Sequence, residues 1–227
     1  MKEQTRARNY LDIWLLLAGF CAILVVIVGL WYTLNGKLPE NVGRKLTEAE
    51  LNEVIAANSP LIEYAYLSCN ADFPRENKID RITVHHMAGI TTLEKLGDLF
   101  AQRDRQASAN YAIDIDGKVG CYVEEKNRAW TSSSGENDHR AVTIEVSNDE
   151  IGNNWHVSDA SIDALIELCT DICRRNNIEK LEFTGDTNGN LTIHSMFSDK
   201  TECPGPYLKS RLPDIAEAVN RKLSEAA

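Results

Sequence analysis

Basic residues are scarce relative to acidic ones in this sequence of 227 residues. It contains 24 Lys and Arg against 34 Asp and Glu, which gives a formal net charge of −10 at pH 7. Six basic and three acidic residues lie in residues 1–45, so residues 46–227 carry a net charge of −13. Binding to nucleic-acid phosphates requires clustered Lys and Arg, so the composition argues against a nucleic-acid-binding function. It also provides no attraction to anionic polymers, and capture of such a substrate would depend on a groove.

Cysteine pairs with the spacing Cys-x-x-Cys are absent, which argues against a structural zinc finger and a thioredoxin-type site. Of the six cysteines, Cys169 and Cys173 lie four residues apart in a helical apolar pattern, and we expect both to be buried. Cys69 and Cys121 could form a disulfide in an oxidising compartment, but the sequence does not give a pairing. Internal repeats and low-complexity tracts are also absent. The chain length therefore predicts one domain of ordinary size and an additional segment.

The additional segment is an uncharged apolar run. Residues 13–34, IWLLLAGFCAILVVIVGLWYTL, include no charged side chain. A helix of about 20 apolar residues is long enough to cross a bilayer. Aromatic rings that favour the membrane interface lie near both ends of the run. We expect a retained membrane anchor; the alternative is a cleaved signal peptide, whose apolar region is shorter, about 7–15 residues.

The N-terminal tail indicates how this anchor would be oriented. MKEQTRARNY holds three basic residues and one acidic residue, and such tails tend to stay in the cytoplasm. We therefore predict a single-pass protein of the cell membrane with its main domain on the extracytoplasmic side. The predicted organisation is a cytoplasmic tail, a transmembrane anchor, a linker with a juxtamembrane helix, and a catalytic domain, at residues 1–12, 13–34, 35–58 and 59–227.

The rest of the chain alternates between two hydrophobic periods. Period-2 and β-branched patterns predict strands at residues 79–86, 111–115, 118–123 and 141–146, with short extended pieces at 181–184 and 191–194. Helical spacing and N-cap residues predict helices at 47–58, 91–102, 158–176 and 212–223. Strands that alternate with helices predict an α/β domain.

Two segments contain residues suited to a metal site. In TIHSMFSDKTECPGPY, His194 precedes Cys203 by nine residues, and Cys203 runs into a stiff Pro-Gly-Pro turn. The strand segment ITVHHMAG supplies His85 and His86. Two imidazoles and a thiolate would make a three-ligand Zn²⁺ site with a fourth position open, as in catalytic zinc centres. Taken singly, each residue is more often an ordinary turn or packing residue.

Strand alternation allows only one of the adjacent histidines to face the metal. His86 shares a face with Ile82 and Val84, whereas His85 shares one with Thr83. The pattern therefore favours His85 as the residue that faces a polar site.

Four segments in the same order resemble the zinc-dependent N-acetylmuramoyl-L-alanine amidases, which include endolysins, autolysins and peptidoglycan recognition proteins. They are ITVHHMAG, SANYAIDIDGKVGCYVEE, RAWTSSSGENDHRAVTIEVSN and FTGDTNGNLTIHSMFSDKTECPGPYL, and the resemblance covers about residues 60 to 225. It implies a single mixed β-sheet flanked by helices, preceded here by one N-terminal transmembrane helix. It also implies a Zn²⁺ enzyme that cleaves the amide bond between N-acetylmuramic acid and L-alanine of peptidoglycan through a zinc-bound water. We expect the protein to be a monomer.

The resemblance also assigns roles to individual residues. It implies zinc ligation by His85, His194 and Cys203, and proton transfer by Glu145. It implies that Tyr111 helps to orient the water or stabilise the oxyanion. Thr201 lies where some relatives carry lysine and others threonine, and it would act on the oxyanion without a charge. Many relatives read Trp-His-Ala-Gly where this chain has Trp-Thr-Ser-Ser at residues 130–133.

Two other functions remain open from the sequence. One is a non-catalytic peptidoglycan-binding protein with the same fold, although such binders typically lack the cysteine ligand. The other is a cysteine hydrolase that uses Cys203 and His194 without a metal. In that case the double-histidine strand would have no role.

Overall fold

The computed structural model describes residues 19–21, 23–26 and 38–225, and the chain divides into two compact units, Met1–Pro39 and Glu40–Ala227. Among the described residues no helix has both the length and the apolar character needed to cross a membrane. This finding corrects the predicted transmembrane helix at residues 13–34 and the cell-membrane localisation that depended on it. The tail at residues 1–12 and most of residues 13–34 lie outside the described residues.

The second unit is built on a six-stranded mixed sheet with the order β1-β5-β4-β7-β3-β8. Its strands are β1 Ile62–Ala65, β3 Arg81–His86, β4 Tyr111–Ile113, β5 Val119–Cys121, β7 Ala141–Val146 and β8 Leu191–Ile193, while β2 Ala71–Asp72 and β6 Arg128–Ala129 form a separate antiparallel pair. The strands β4, β7, β3 and β8 run parallel to one another, β4 and β5 form an antiparallel hairpin, and β1 runs parallel to β5. The mixed sheet expected from the family resemblance is confirmed.

One face of the sheet is apolar and carries the main core. Two long helices, α4 Asp159–Arg175 and α5 Gly205–Glu225, pack against this face and against each other. The buried strand residues on it include Ile82, Val84, Ile144 and Ile193. These residues occupy alternate strand positions, so the residues between them must point to the other side of the sheet.

The opposite face of the sheet is polar at its centre. Thr83 Oγ1 lies 2.9 Å from Thr192 Oγ1, and the buried Asn137 donates to Thr83 over 2.9 Å. Asn137 lies on the short helix α3 Gly135–Arg140, whereas α2 Leu93–Ala101 packs against β1 and β4 through a second apolar cluster that includes Tyr64 and Ala112. Both helices therefore lie on this face of the sheet, over different strands.

The helix caps match the sequence expectations, but two segments differ. The capping box of Thr47 and Glu50 opens α1 Glu48–Ala57, and Ser158 caps α4. Helix α5 begins at residue 205 instead of 212. Pro206 lies in its first turn, where a proline is tolerated, and Pro213 lies inside the helix. Residues 181–184 form no strand; the backbone of Leu181 bonds instead to the side chain of Asn220.

The cysteines of the described region are free thiols. Cys169 and Cys173 are fully buried on α4, as expected from their spacing. Cys69 and Cys121 are not joined in a disulfide, and the thiol of Cys69 faces the carbonyl of Ala101 at 3.7 Å.

Candidate metal centre and active site

Three potential ligands meet at one edge of the sheet. His85 lies near the end of β3, and His194 follows directly after the parallel neighbour β8. Cys203 lies in the turn that leads into α5. Because parallel strands end at the same edge of a sheet, the two histidines arrive side by side, and the turn brings the thiol to them.

The ligand atoms of His85, His194 and Cys203 all lie within 4.8 Å of one another. The two imidazole centroids are 4.9 Å apart, and His85 Nδ1 lies 3.6 Å from Cys203 Sγ. In tetrahedral zinc sites the bonds are about 2.3 Å to sulfur and about 2.0–2.1 Å to nitrogen, so the two ligand atoms lie about 3.6 Å apart. The donor set and the sulfur–nitrogen separation therefore fit Zn²⁺.

Burial controls the charges of these ligands. The pKa of His85 is well below its ordinary value because the ring is fully buried and lies beside the other two histidines. Desolvation also lowers the pKa of His194, although the nearby Asp138 opposes the shift. Burial raises the pKa of the Cys203 thiol. Two neutral imidazoles and a buried sulfur suit a cation, which would stabilise the thiolate.

The turn at Cys203 is held by several backbone contacts. The backbone N–H of His86 points at Cys203 Sγ over 3.4 Å, and the N–H of Ser195 donates to the Cys203 carbonyl over 3.1 Å. The ring of His86 itself packs edge-on against Trp155, on the side of the sheet away from His85. His86 is thus placed as a packing residue, and its N–H contacts the sulfur.

Glu145 lies directly opposite His85 in the parallel register of β7 and β3. One of its carboxylate oxygens, Oε2, is buried and has no hydrogen-bond partner. Desolvation raises the pKa of Glu145 to about 8, with Arg105 acting in the opposite direction. A buried carboxyl with a free oxygen beside a ligand cluster is suited to accept and return a proton.

Thr201 lines the same cavity as Cys203 and Glu145. Its Oγ1 accepts the backbone N–H of Cys203 over 3.1 Å. The hydroxyl proton of Thr201 is not used in that bond, so it remains available to an oxygen in the cavity.

The structure does not bring Tyr111 to this cluster, which corrects its predicted catalytic role. Tyr111 pairs with Ile144 in the sheet and so points to the apolar face, away from Glu145. Its hydroxyl donates to Glu125 over 2.6 Å, and Arg175 binds the same carboxylate. The sequence motif predicts the strand correctly but not the face of the sheet to which Tyr111 points. A shift of one residue along a strand moves each side chain to the opposite face.

A contact that the sequence analysis missed involves Ser133. Its hydroxyl lies 3.0 Å from His194 Nε2. Ser133 has a φ of 62°, a left-handed conformation that is uncommon for a residue with a Cβ. The loop before it is fixed because the buried Asp138 accepts the backbone N–H groups of Thr131 and Ser132. The sequence offers one signal for this contact, the Trp-Thr-Ser-Ser motif at residues 130–133. Comparison of this motif with Trp-His-Ala-Gly in relatives indicates a missing histidine, but it does not indicate that Ser133 contacts His194.

Two cavities adjoin the cluster. The first, of about 420 Å³, is lined by Glu145, His194, Thr201 and Cys203, by apolar residues of α2 and by Arg105. The second, of about 600 Å³, is lined by Ser133 and residues 195–200. Ser133, which lines the second cavity, contacts His194, which lines the first. The cluster thus lies between two spaces that could each receive part of an extended substrate.

Comparison with known proteins gives the chain a family context. A family model described as N-acetylmuramoyl-L-alanine amidase matches residues 75–206. No curated protein sequence matches the chain. Among solved structures, the hydrolase AmiA of Staphylococcus aureus, in complex with its ligand, has 16% sequence identity and a TM-score of 0.56, and the match covers 79% of this chain and 93% of that chain.

Two further structures have the same fold. A mutant endolysin from Bacillus subtilis has 15% identity and a TM-score of 0.53, with 69% of this chain and 97% of that chain covered. The N-acetylmuramoyl-L-alanine amidase LysC from Clostridium intestinale URNW has 20% identity and a TM-score of 0.50, with 63% and 86% covered. At these identities the similarity to solved structures shows only a shared fold. The family assignment depends on the family model that matches residues 75–206.

Proposed function

The chain belongs to the N-acetylmuramoyl-L-alanine amidase family, and on this premise we propose that it cleaves peptidoglycan with a Zn²⁺ ion held by His85, His194 and Cys203. The bond cleaved by this class joins N-acetylmuramic acid to the L-alanine of the stem peptide. One observation carries the zinc proposal. Three ligand atoms lie within 4.8 Å of one another, and Glu145 lies opposite His85.

When bound, Zn²⁺ would lower the pKa of a water to about 7 and polarise the amide carbonyl. Glu145 Oε2 would take the proton from the attacking water and return it to the departing alanine nitrogen. That role requires the ionised carboxylate, which a nearby cation would favour by lowering the pKa from its value of about 8 in the metal-free protein. Thr201 would donate its hydroxyl proton to the developing oxyanion.

The metal-free cysteine hydrolase is less well supported. A nucleophilic cysteine needs a depressed pKa, because the thiolate is the reactive form. Burial raises the pKa of Cys203, and the histidine beside it is disfavoured as a cation for the same reason. This environment is suited to a metal-bound sulfur.

The product distinguishes an amidase from other wall hydrolases. We expect purified peptidoglycan treated with the full chain to gain free L-alanine amino termini without new reducing sugar ends. Removal of metal with a chelator should abolish this release, and added Zn²⁺ should restore it. Release that persists after the metal has been removed would overturn the zinc proposal. Binding without release by the zinc-loaded protein would point to a non-catalytic peptidoglycan-binding protein.

A further inference from the structure

Arg105 occupies a position that the proposed chemistry does not use. It is exposed and lines the cavity that also holds Glu145, Thr201 and Cys203. Within residues 38–225 no carboxylate forms an ion pair with it. In a domain with a large acidic excess, it is the only Lys or Arg among the residues that line this cavity. An arginine without a partner at such a place can bind an anionic group of a ligand.

The backbone of the turn that carries Arg105 is held in place by hydrogen bonds. Arg105 ends the short 3₁₀ turn Arg103–Arg105, and its N–H donates to the Gln102 carbonyl over 3.2 Å. The amide of the buried Asn70 donates to the carbonyls of Gln102 and Ala107, over 2.8 Å and 3.5 Å, on either side of the arginine. The backbone on both sides of Arg105 is therefore fixed, and only the Arg105 side chain needs to be ordered when a ligand binds.

The remaining walls suggest which part of the substrate enters this cavity. Leu96, Leu99 and Phe100 give it an apolar side that suits the methyl group of alanine. The second cavity, beyond Ser133, is lined by serines and by Phe197, which suits the hydroxyl groups and the face of a sugar. The scissile amide at the ligand cluster would thus have its peptide directed towards Arg105 and its muramoyl group towards residues 195–200.

We propose that Arg105 is a specificity-determining residue that binds a free carboxylate on the residue that follows alanine in the stem peptide. This inference rests on the proposed amidase function and adds a preference within it. A stem peptide in which that carboxylate is amidated would bind less well, because an amide has no charge to pair with the guanidinium. A charge-assisted bond at a partly exposed site supports a preference of about tenfold.

The test compares the γ-methylamides of N-acetylmuramoyl-L-alanyl-D-glutamate and N-acetylmuramoyl-L-alanyl-D-isoglutamine on the zinc-loaded full chain, so that the two compounds differ only in whether the α-carboxyl group is a free carboxylate or an amide. We expect kcat/KM about tenfold higher for the free carboxylate. Arg105→Gln should remove this preference by lowering only the rate for the glutamate compound. Arg103→Gln is the matched control, since Arg103 lies in the same turn but does not line the cavity, and it should retain the preference.

Arg105 also acts electrostatically on Glu145, and the paired substrates separate the two effects. A change at Glu145 would alter the rates for both compounds by the same factor, whereas loss of a carboxylate subsite alters one. Equal preferences in the wild type and in Arg105→Gln would overturn the inference.

Dissociation constants of the same two compounds should be measured in parallel. If wild type releases no alanine amino termini but binds the glutamate compound about tenfold more tightly in an Arg105-dependent way, the proposed catalysis fails and the subsite stands. If wild type cleaves both compounds equally well and binds them equally well, the amidase stands and the subsite fails.

Discussion

Ser133 donates or accepts a hydrogen bond at His194 Nε2 over 3.0 Å, from a backbone position with φ of 62°. A nitrogen engaged in this way leaves Nδ1 of His194 for a metal, which matches the Nδ1 that His85 presents to Cys203. Metal-binding histidines usually donate their other N–H to a polar neighbour, which fixes the ring and strengthens the ligand. Ser133 would fulfil this role for His194 when the cluster binds Zn²⁺.

Two substitutions at Ser133 separate its hydroxyl from its backbone strain. Both Ser133→Ala and Ser133→Gly remove the contact with His194, and we expect each to weaken zinc affinity by about tenfold. Only glycine relieves the left-handed conformation, so Ser133→Gly should be more stable than Ser133→Ala by about 1 kcal/mol. Zinc titration against a competing chelator and denaturant unfolding measure the two effects.

If zinc affinity follows stability across the two variants, Ser133 acts only through the fold. Ser198→Ala is the control, because Ser198 lines the same cavity but its hydroxyl faces the N–H of Lys200. That variant should bind zinc like the wild type.

The raised pKa of Glu145 predicts that the stability of the metal-free protein depends on pH. Its pKa rises to about 8 in the fold, from an ordinary value of 4.5. The folded state therefore binds an extra proton between these values, so this contribution to stability is complete below pH 4.5 and is lost as pH rises towards 8. The loss can reach about 1.4 kcal/mol per pH unit.

The difference in free energy of unfolding between the wild type and Glu145→Gln isolates this effect. The buried His85 and His194 have lowered pKa values and contribute the opposite slope, but they are present in both proteins. We expect the wild type to lose stability relative to Glu145→Gln from about pH 5 to pH 8. A difference that does not change with pH would show that Glu145 is ionised in the metal-free fold.

Tyr111 should matter for stability and not for catalysis. Tyr111→Phe removes a bond of 2.6 Å to the buried carboxylate of Glu125, which Arg175 also binds. A hydrogen bond to a charged group is worth about 1.5–3 kcal/mol, so this is the expected destabilisation. The kcat for amide cleavage should stay within about twofold of the wild type, as expected for a residue that contacts no reacting atom.

Tyr122→Phe is the matched control for this prediction. It also removes a buried phenol bond, but to the neutral carbonyl of Leu93, at 2.7 Å. We expect the smaller loss of about 1 kcal/mol. A fall in kcat of a hundredfold or more in Tyr111→Phe alone would restore a catalytic role for this residue.

Thr201 should affect rate more than metal binding. Thr201→Val preserves the shape but removes the hydroxyl that accepts the Cys203 N–H and could donate to the oxyanion. We expect kcat to fall by about 10- to 100-fold, with zinc affinity changed much less. Thr201→Ser should retain most of the rate, and equal losses in both variants would exclude a role for the hydroxyl.

The sequence predicted most elements of the domain because their signals are local. The strand at residues 141–146 and the Ser158 cap of α4 follow from patterns within a few residues of each other. The apolar segment at residues 13–34 was interpreted from length and hydropathy alone, and no membrane-crossing helix is found among the described residues.

The ligand cluster could be predicted because its residue types are rare and their chemistry is specific. The face of the sheet to which each strand side chain points was harder to predict. Tyr111 is an example, because a shift of one position along the strand moves a side chain from the cavity side of the sheet to the core side. The contact of Ser133 with His194 joins residues 61 positions apart through a left-handed loop. No local pattern encodes such a contact, because it depends on how the α3 loop packs over the sheet.

The most direct test of the account is the zinc content and amidase activity of one preparation of wild type, Cys203→Ala and Cys69→Ala. Cys69 is a free, partly buried thiol outside the cluster and serves as the control. We predict one zinc per chain and release of L-alanine amino termini in the wild type and in Cys69→Ala, with both lost in Cys203→Ala. Full release by Cys203→Ala, or release by a wild type that holds no zinc, would contradict the assignment of this cluster as the catalytic metal centre.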